Sequence, residues 1–279
     1  KPKDCKKLIT TSKSNIVITA GVPCQGFSRS NRKQHDDDER NFYFTEFLKF
    51  VEEFNPSAVI VENVSGIAKA KEGYFLKTIS SEISKLGYKV HTNLINSAEY
   101  GVPQTRRRVF IFGSLKNLKM KFPLDVPKIY KKILTTKSIL EKKVDKKYIL
   151  SKKILKTILK HGTGGYYHKS EINLEIARPL TRTMVKMHRA HQDNYFSNQY
   201  IFNEKKLKWI RKLTPLEAFR LQGFPDKFYY NARKINLSDA QLYMQAGNSV
   251  TVNVVEAILK HLTNYEWLSN DNFKIKNKH

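Results

Sequence analysis

A cysteine stands at a point in the sequence where it could act as a nucleophile. Cys24 lies in the stretch Gly21–Ser28 (GVPCQGFS), directly after the β-branched apolar run Ile16–Ala20, which predicts a short buried strand. Pro23 ends that strand because proline has no backbone N–H to donate. Cys24 is therefore expected where a strand leaves the sheet, the edge at which α/β folds place their chemistry. The alternative is that Cys24 is only a small buried apolar side chain.

A carboxylate and three arginines are associated with later predicted strands. Glu62 and Asn63 follow the apolar run Ala58–Val61, and a carboxylate that emerges from a buried strand is costly unless it has a partner or a task. Arg106–Arg108 precede the apolar run Val109–Gly113, where cations need anionic partners such as phosphates or carboxylates. Taken alone, the first pair could be a capping or solvated pair, and the arginines a solvated basic patch.

The elements predicted around these residues alternate between strand and helix. Apolar residues at helical spacing predict a helix over Asn41–Phe54, and a second helix is expected at about Tyr74–Leu86. A further strand is predicted over Tyr88–Ile95, before the strand at Val109–Gly113. The order strand, helix, strand, helix, strand, strand is typical of a largely parallel α/β sheet.

Two more helices are predicted toward the C-terminus. Thr214 and Glu217 have the spacing of a capping box, so one helix is expected to begin there. A last helix is expected to open at Gln245–Val250 and to run to about residue 261. Asn248 and Ser249 would lie at its start, where small polar side chains are suited to hold polar groups of a ligand.

The composition favours a protein that binds nucleic acid. The chain has 279 residues, with 51 Lys+Arg against 25 Asp+Glu and a formal net charge of +26, which indicates a polyanionic partner. A lysine-rich coding bias and a basic membrane-binding face are alternatives. No apolar run approaches the roughly 20 residues that span a bilayer, and no signal peptide is visible. Two cysteines give no disulfide framework. We expect a cytoplasmic protein with a nucleic-acid partner, and we predict no metal site.

The middle of the chain is its most basic part. Residues 116–160 contain fifteen lysines, three acidic residues and no arginine. A loop of glycines and tyrosines follows at Gly162–Tyr167, and Arg178–Thr183 combines arginines with threonines. Such segments are suited to reach DNA base edges and backbone. The alternative is a surface insertion with no role.

Five short blocks occur in an order that resembles the C5-cytosine DNA methyltransferase family. The blocks are Pro23-Cys24-Gln25, Glu62-Asn63-Val64, Gln104-x-Arg106-x-Arg108, Leu213-Thr214-Pro215-x-Glu217 with Arg220–Pro225, and Gly247–Val250. The resemblance implies an α/β fold: a partial Rossmann-like, S-adenosylmethionine-dependent methyltransferase sheet with a smaller basic target-recognition domain. It also implies a catalytic domain at 1–115, a target-recognition domain at 116–244, and a C-terminal helix at 245–279 that returns to the catalytic domain.

The same resemblance implies roles for individual residues. Cys24 would be the nucleophile and Glu62 the carboxylate that grips the cytosine edge, while Arg106 and Arg108 would hold the active-site loop and the base. The residues implied to contact the cofactor are Pro23, Asn248 and Ser249. The residues implied to contact DNA are Gln25, Ser28, Arg29, Gln104 and Arg182.

The implied reaction is transfer of a methyl group from S-adenosylmethionine to C5 of a flipped cytosine in double-stranded DNA. It would pass through a covalent bond between Cys24 and cytosine C6, within a restriction–modification system. A tRNA cytosine-5 methyltransferase and a non-catalytic DNA-binding subunit or fragment of a split enzyme are the alternatives. The family's N-terminal Phe/Gly-rich cofactor loop and the acidic residue after it have no counterpart in this sequence. We therefore expect an N-terminal segment or a separate subunit to supply them.

Overall fold

The computed structural model describes residues 16–22, 42–115, 128–129, 134–160, 171–185, 188–189 and 191–263. The chain divides into two units that are described one at a time. The first comprises residues 1–95, 107–127 and 258–279, and the second comprises residues 96–106 and 128–257. Both units are therefore discontinuous in the sequence.

A four-stranded sheet forms the centre of the first unit. Its strands lie in the order β1-β2-β4-β3 and are β1 (Val17–Gly21), β2 (Ala58–Val64), β3 (Tyr88–Asn96) and β4 (Arg107–Leu115). β1 and β2 are parallel, whereas β2 and β4 are antiparallel. The expectation of a largely parallel sheet is therefore wrong for the ladder between β2 and β4. Residues 97–106 connect β3 to β4. A crossover between parallel strands needs about a dozen residues or more, so this short connection favours a reversal of the chain direction from β3 to β4.

Two strands extend further than the sequence predicts. β2 continues through Glu62 to Val64, and β4 begins at Arg107. Glu62 and Arg108 are therefore strand residues rather than loop residues. Charged side chains within a strand are poor sequence indicators of a strand, because their cost depends on whether the neighbouring strand supplies a partner.

Two helices share a hydrophobic core with this sheet. α1 (Phe42–Phe54) and α2 (Tyr74–Lys85) match their predicted bounds to within one residue. The core is built from apolar side chains of both helices and of the strands, among them Phe47, Val51, Ile79, Ile83, Val59, Val61, Val109 and Ile111. The helical spacing of the aromatic and aliphatic residues thus places one face of each helix in the core.

The second unit contains short helices and a two-stranded sheet. Its helices are α3 (Lys152–Leu159), α4 (Asn198–Phe202), α5 (Pro215–Leu221), α6 (Asp226–Lys234) and α7 (Asp239–Asn248), followed by α8 (Val252–Thr263), whose last residues belong to the first unit. β5 (Tyr195–Ser197) pairs antiparallel with β6 (Ile210–Lys212). Its main core contains Leu180, Met184, Leu221 and Leu242. In the described part of the chain, no helix has the length and apolar character needed to cross a membrane.

A buried ion pair ties the start of α5 to other segments. Arg211 and Glu217 make two charged hydrogen bonds of 2.6 and 2.8 Å, and neither side chain has exposed surface. Glu217 also accepts from the backbone N–H groups of Thr214 and Glu141, and the predicted capping box is present. Because a buried charge without a partner is costly, loss of either Arg211 or Glu217 alone is expected to destabilise the unit.

The last predicted helix is in fact two helices. α7 ends at Asn248 and α8 begins at Val252, so Asn248 and Ser249 lie at the end of a helix and not at its start. Gln222 holds the break: its carbonyl accepts from the Val252 N–H, and its Oε1 accepts from Thr251 Oγ1. Gln222 and Val252 are far apart in the sequence, so their contact leaves no periodic pattern that would predict the break. Asn248 and Ser249 are therefore not at a helix start that could offer its N–H groups to a ligand.

Candidate active site

Glu62 and Arg108 form a charged pair on one face of the sheet in the first unit. In the antiparallel ladder Glu62 lies opposite Phe110, and Arg108 lies opposite Val64. This register makes Glu62 and Arg108 diagonal neighbours on the same face. Glu62 Oε1 is 2.9 Å from Arg108 Nε, and both side chains are 17% exposed. Partial exclusion of water strengthens a charged hydrogen bond of this kind.

The ends of β1 and β2 lie side by side next to this pair. Gly21, the last residue of β1, is opposite Glu62 in the parallel ladder, and a Cβ at Gly21 would lie 3.9 Å from Glu62 Oε2. Asn63 is 3% exposed. Its Nδ2 donates to the Val22 carbonyl at 3.5 Å, and its Oδ1 accepts from the following backbone N–H at 2.8 Å. The Glu62 carboxylate is therefore presented at the end of the strand that precedes Cys24 in the sequence.

Several predicted site residues lie outside the described residues. They are Pro23, Cys24, Gln25, Ser28 and Arg29. Their predicted roles as nucleophile, cofactor contact and DNA contacts stay predictions. In the sequence, Cys24 follows Gly21 by three residues.

In the second unit, Arg106 is buried among backbone carbonyls. Its Nη1 donates to the Leu180 carbonyl at 3.0 Å, and its Nη2 donates to the carbonyls of Gly247 at 3.1 Å and Ser249 at 2.9 Å. The residue is 3% exposed. A planar guanidinium can bridge several fixed acceptors at once. This geometry favours a role for Arg106 in positioning the two segments that it connects.

Gln104 holds the same segment from a second side. Its Oε1 accepts from the Leu180 N–H at 2.8 Å, and its Nε2 donates to the Leu221 carbonyl at 2.8 Å. The residue is 0% exposed. The predicted contact between Gln104 and DNA does not fit a fully buried amide whose groups are already bonded. In this conformation Gln104 fixes the peptide at Leu180.

The end of α7 lies against the backbone at Thr181 and Arg182. A Cβ at Gly247 would lie 2.5 Å from Arg182 N and 2.6 and 2.7 Å from the carbonyl carbon and oxygen of Thr181, so only glycine allows this approach. Asn248 is exposed. Ser249 is half-buried, and its hydroxyl donates to the carbonyl three residues before it at 2.8 Å. Of these two predicted cofactor contacts, Asn248 is the one that presents its polar group to solvent.

Arg182 is exposed at the tip of a turn. The Met184 N–H donates to the Thr181 carbonyl at 3.3 Å and closes the turn. Leu180 and Met184 on either side are buried in the core. The guanidinium of Arg189 donates to Thr181 Oγ1 at 2.9 Å. The turn is thus anchored on both sides, while its central arginine points away from the core.

A buried carboxylate, Asp193, orients the arginine that braces this turn. Asp193 accepts from the Arg189 backbone N–H at 2.8 Å and from its guanidinium at 3.4 Å. Burial raises the pKa of Asp193, whereas the hydrogen bonds and charge of Arg189 lower it. Sequence reasoning misses both residues because a spacing of four in an irregular segment is not distinctive.

Sequence reasoning also misses Gln222, which holds the break between α7 and α8. Gln222 lies inside the block Arg220–Pro225, and that block could have indicated its role.

The fold is similar to that of a solved methyltransferase structure. The methyltransferase EhMeth of Entamoeba histolytica has a similar structure, with a TM-score of 0.69 over 89% of this chain and 77% of that chain. The two sequences are 20% identical, so the likeness concerns the fold alone. It confirms the predicted α/β methyltransferase fold class.

Sequence relatives define the family. The type II methyltransferase M1.ScrFI from Lactococcus lactis subsp. cremoris is 31% identical over 252 residues, which are 88% of this chain and 61% of that protein. The type II methyltransferase M.HpaII from Haemophilus parainfluenzae is 33% identical over 262 residues, which are 88% of this chain and 71% of that protein. The chain thus spans less than two thirds of the length of the first of these relatives.

The family model of C-5 cytosine-specific DNA methylases matches residues 3–264. The chain belongs to this family, and the predicted resemblance is confirmed. Enzymes of this family use S-adenosylmethionine as the methyl donor.

Proposed function

We propose that this chain carries catalytic residues of a DNA (cytosine-5)-methyltransferase. The observation that supports this most is the 2.9 Å pair between Glu62 and Arg108, on the sheet face next to Gly21. Cys24 follows Gly21 by three residues, and three residues of chain span at most about 11 Å. A nucleophile and an arginine-held carboxylate near neighbouring strand ends are groups that activation of a cytosine ring requires.

The cytosine ring has to be activated because its C5 is a poor nucleophile. In the proposed reaction the Cys24 thiolate adds to C6, forming a C–S bond, and the electron pair of the C5=C6 bond becomes available at C5. C5 takes the methyl group and then loses its proton to a base. The electron pair of the C5–H bond restores the C5=C6 bond as the C–S bond breaks, which releases the Cys24 thiolate.

Glu62 is proposed to bind the Watson–Crick edge of the flipped base. A carboxyl group at ring N3 and the exocyclic amine stabilises the charge that develops when the thiolate adds. Arg108 fixes that carboxylate through its 2.9 Å contact, and we assign it the further task of donating toward ring O2. Arg106 is assigned a positioning role rather than a contact with the base, because its guanidinium is bonded to three backbone carbonyls.

The methyl group is supplied by S-adenosylmethionine when it is bound. The exposed amide of Asn248 can both donate and accept, and therefore fits the carboxylate and ammonium groups of such a donor. The Ser249 hydroxyl already donates a hydrogen bond within the fold, so Ser249 is proposed to contact the methyl donor without donating a hydrogen bond to it. Pro23 remains a proposed contact. We propose that an N-terminal segment or a separate subunit completes the site. The alignment with M1.ScrFI covers 61% of that protein's length, which leaves room for such a segment.

The proposed substrate is double-stranded DNA with the target cytosine flipped out of the helix, because C5 is not accessible to the reacting groups within a duplex. The net charge of +26 supports a polyanionic substrate. We propose that 1–115 and 245–279 serve catalysis and that 116–244 serve target recognition. Gln25, Ser28 and Arg29 stay proposed DNA contacts. The type II names of the relatives favour a role in a restriction–modification system. We further propose that the protein acts in the cytoplasm.

The experiment that tests this function is transfer of a labelled methyl group from S-adenosylmethionine to duplex DNA. The chain is assayed alone and also joined to the segment encoded immediately upstream, each with duplex DNA and, in parallel, with tRNA. Label recovered as 5-methylcytosine in either arm supports the proposal. Label found only in tRNA, or DNA binding without transfer in both arms, contradicts it and favours the tRNA enzyme or the binding subunit.

A further inference from the structure

Arg182 differs from every other described arginine of the second unit. Its side chain is exposed at the tip of the Thr181–Met184 turn, and no described residue pairs with its guanidinium. The remaining arginines are bonded to carboxylates, carbonyls or hydroxyl groups of the fold, and they are Arg106, Arg178, Arg189, Arg211, Arg220 and Arg233. Arg182 is therefore the arginine that the unit leaves for an external partner, as far as its described residues show.

The backbone that carries Arg182 is held rigidly. Gln104 accepts from the Leu180 N–H, and Arg106 donates to the Leu180 carbonyl. Gly247 approaches the turn so closely that a Cβ there would lie 2.5 Å from the Arg182 nitrogen. A side chain that starts from a fixed backbone loses less conformational freedom on binding, and this favours specific recognition over loose attraction.

The type of residue is informative because most of the basic surface nearby in sequence is lysine. Residues 116–160 contain fifteen lysines and no arginine, and α3 exposes Lys152 and Lys153. A lysine ammonium is a point charge, which suits phosphate oxygens. An arginine guanidinium is a planar fork that pairs with O6 and N7 of guanine in the major groove. The turn therefore presents the side chain whose planar fork matches two adjacent guanine acceptors, next to a segment whose basic residues are all lysine.

We propose that Arg182 is a specificity-determining residue that reads a guanine edge in the DNA substrate, while exposed lysines such as Lys152 and Lys153 contact phosphates. The proposal rests on the proposed function only in taking double-stranded DNA as the substrate. It does not depend on methyl transfer. The recognised DNA sequence then contains a guanine whose selection depends on Arg182.

The test uses Arg182→Gln, which removes the fork of donors that matches guanine. Wild type and variant each select duplexes from a randomised DNA library, and Kd is then measured for the selected duplex and for duplexes with each guanine replaced. Wild type is expected to prefer guanine at one position by roughly 10- to 100-fold, and the variant to lose that preference while keeping those at other positions. The slope of log Kd against log salt is expected to change by less than about 1, because Arg182 is proposed to contact a base and not a phosphate.

The matched control is the double variant Lys152→Gln/Lys153→Gln. It is expected to bind all duplexes more weakly by one common factor, to keep the guanine preference, and to lower the slope of log Kd against log salt by about 2. An unchanged consensus in Arg182→Gln overturns the proposal, and so does a wild-type protein that selects no sequence. Selection by binding needs no chemistry, so a protein that selects a guanine through Arg182 but transfers no methyl group contradicts only the proposed function.

Discussion

Glu62 on β2 and Arg108 on β4 are joined by a 2.9 Å contact between Oε1 and Nε. The antiparallel register sets them diagonally rather than directly opposite, with Val64 facing Arg108. Strand pairing therefore fixes the carboxylate and the guanidinium without a loop to order them. A slip of the register by one residue would move Glu62 to the other face of the sheet and break the pair.

Glu62→Gln is expected to slow methyl transfer by about 100- to 1,000-fold, since a neutral amide stabilises the developing ring charge less well. Single-turnover rates on duplex DNA measure the loss. Glu46→Gln is the matched control, because it removes only a 2.6 Å surface pair with Lys49. That control is expected to leave the rate unchanged. Equal rates for Glu62→Gln and wild type would contradict a role for this carboxylate.

Arg106→Met is expected to lower the free energy of unfolding by about 2–4 kcal/mol, because it leaves buried carbonyl groups without their donor. Denaturant unfolding followed by circular dichroism measures this. Arg107→Met removes a neighbouring arginine that is exposed and should change stability by less than about 0.5 kcal/mol. If Arg106→Met is as stable as the control, the positioning role assigned to Arg106 is wrong.

Gly247→Ala is expected to destabilise the protein by about 1–3 kcal/mol, because the new methyl group would overlap the backbone at Thr181 and Arg182. DNA affinity should fall with it, since the same turn carries Arg182. Gly66→Ala is the control, because the nearest atom to its Cβ would be Val64 Cγ2 at 3.9 Å. Thermal unfolding and fluorescence anisotropy with labelled duplex compare the two variants. A neutral Gly247→Ala would mean that the turn moves away without loss.

Local sequence patterns predict much of this fold. The apolar spacing of α1 and α2 gives their bounds to within one residue, and Thr214 with Glu217 gives the start of α5. These features depend on residues a few positions apart, so the sequence contains the information directly.

Features set by distant partners were predicted less well. Arg108 lies in a strand opposite Val64 and finds its charged partner, Glu62, on the neighbouring strand, and the helix break before Val252 involves Gln222. The family resemblance implies a DNA contact for Gln104, but this residue is buried and bonded to Leu180 and Leu221. Burial and pairing at these sequence separations follow from tertiary packing, which single-sequence patterns do not encode.

Asp239 should make stability depend on acid pH. Burial alone would raise its pKa, but hydrogen bonds from Arg233, Lys147 and Tyr148 lower it from 3.8 to about 2. The folded pKa is below the unfolded value, so the stabilisation is present above about pH 4 and is lost as the pH falls toward about 2. Asp239→Asn is expected to cost about 1 kcal/mol at neutral pH, because partial exposure screens the pairs.

Urea unfolding of wild type and Asp239→Asn at a series of pH values checks this. The difference between the two proteins should shrink steadily as the pH falls through that window. A difference that stays constant with pH would show that the carboxylate charge does not contribute.

The proposed bond between Cys24 and cytosine C6 can be tested most directly with duplex DNA that contains 5-fluorocytosine. A base can remove a proton from C5 but cannot remove fluorine in the same way. After methyl transfer to 5-fluorocytosine the C–S bond therefore cannot break, and the protein stays attached to the DNA. Mass spectrometry of the digested complex then identifies the attached residue. We expect attachment at Cys24, none with Cys24→Ser, and normal attachment with Cys5→Ser, which changes the other cysteine of the chain. Methyl transfer to ordinary DNA without any trapped complex, or attachment to a residue other than Cys24, would contradict the proposed mechanism.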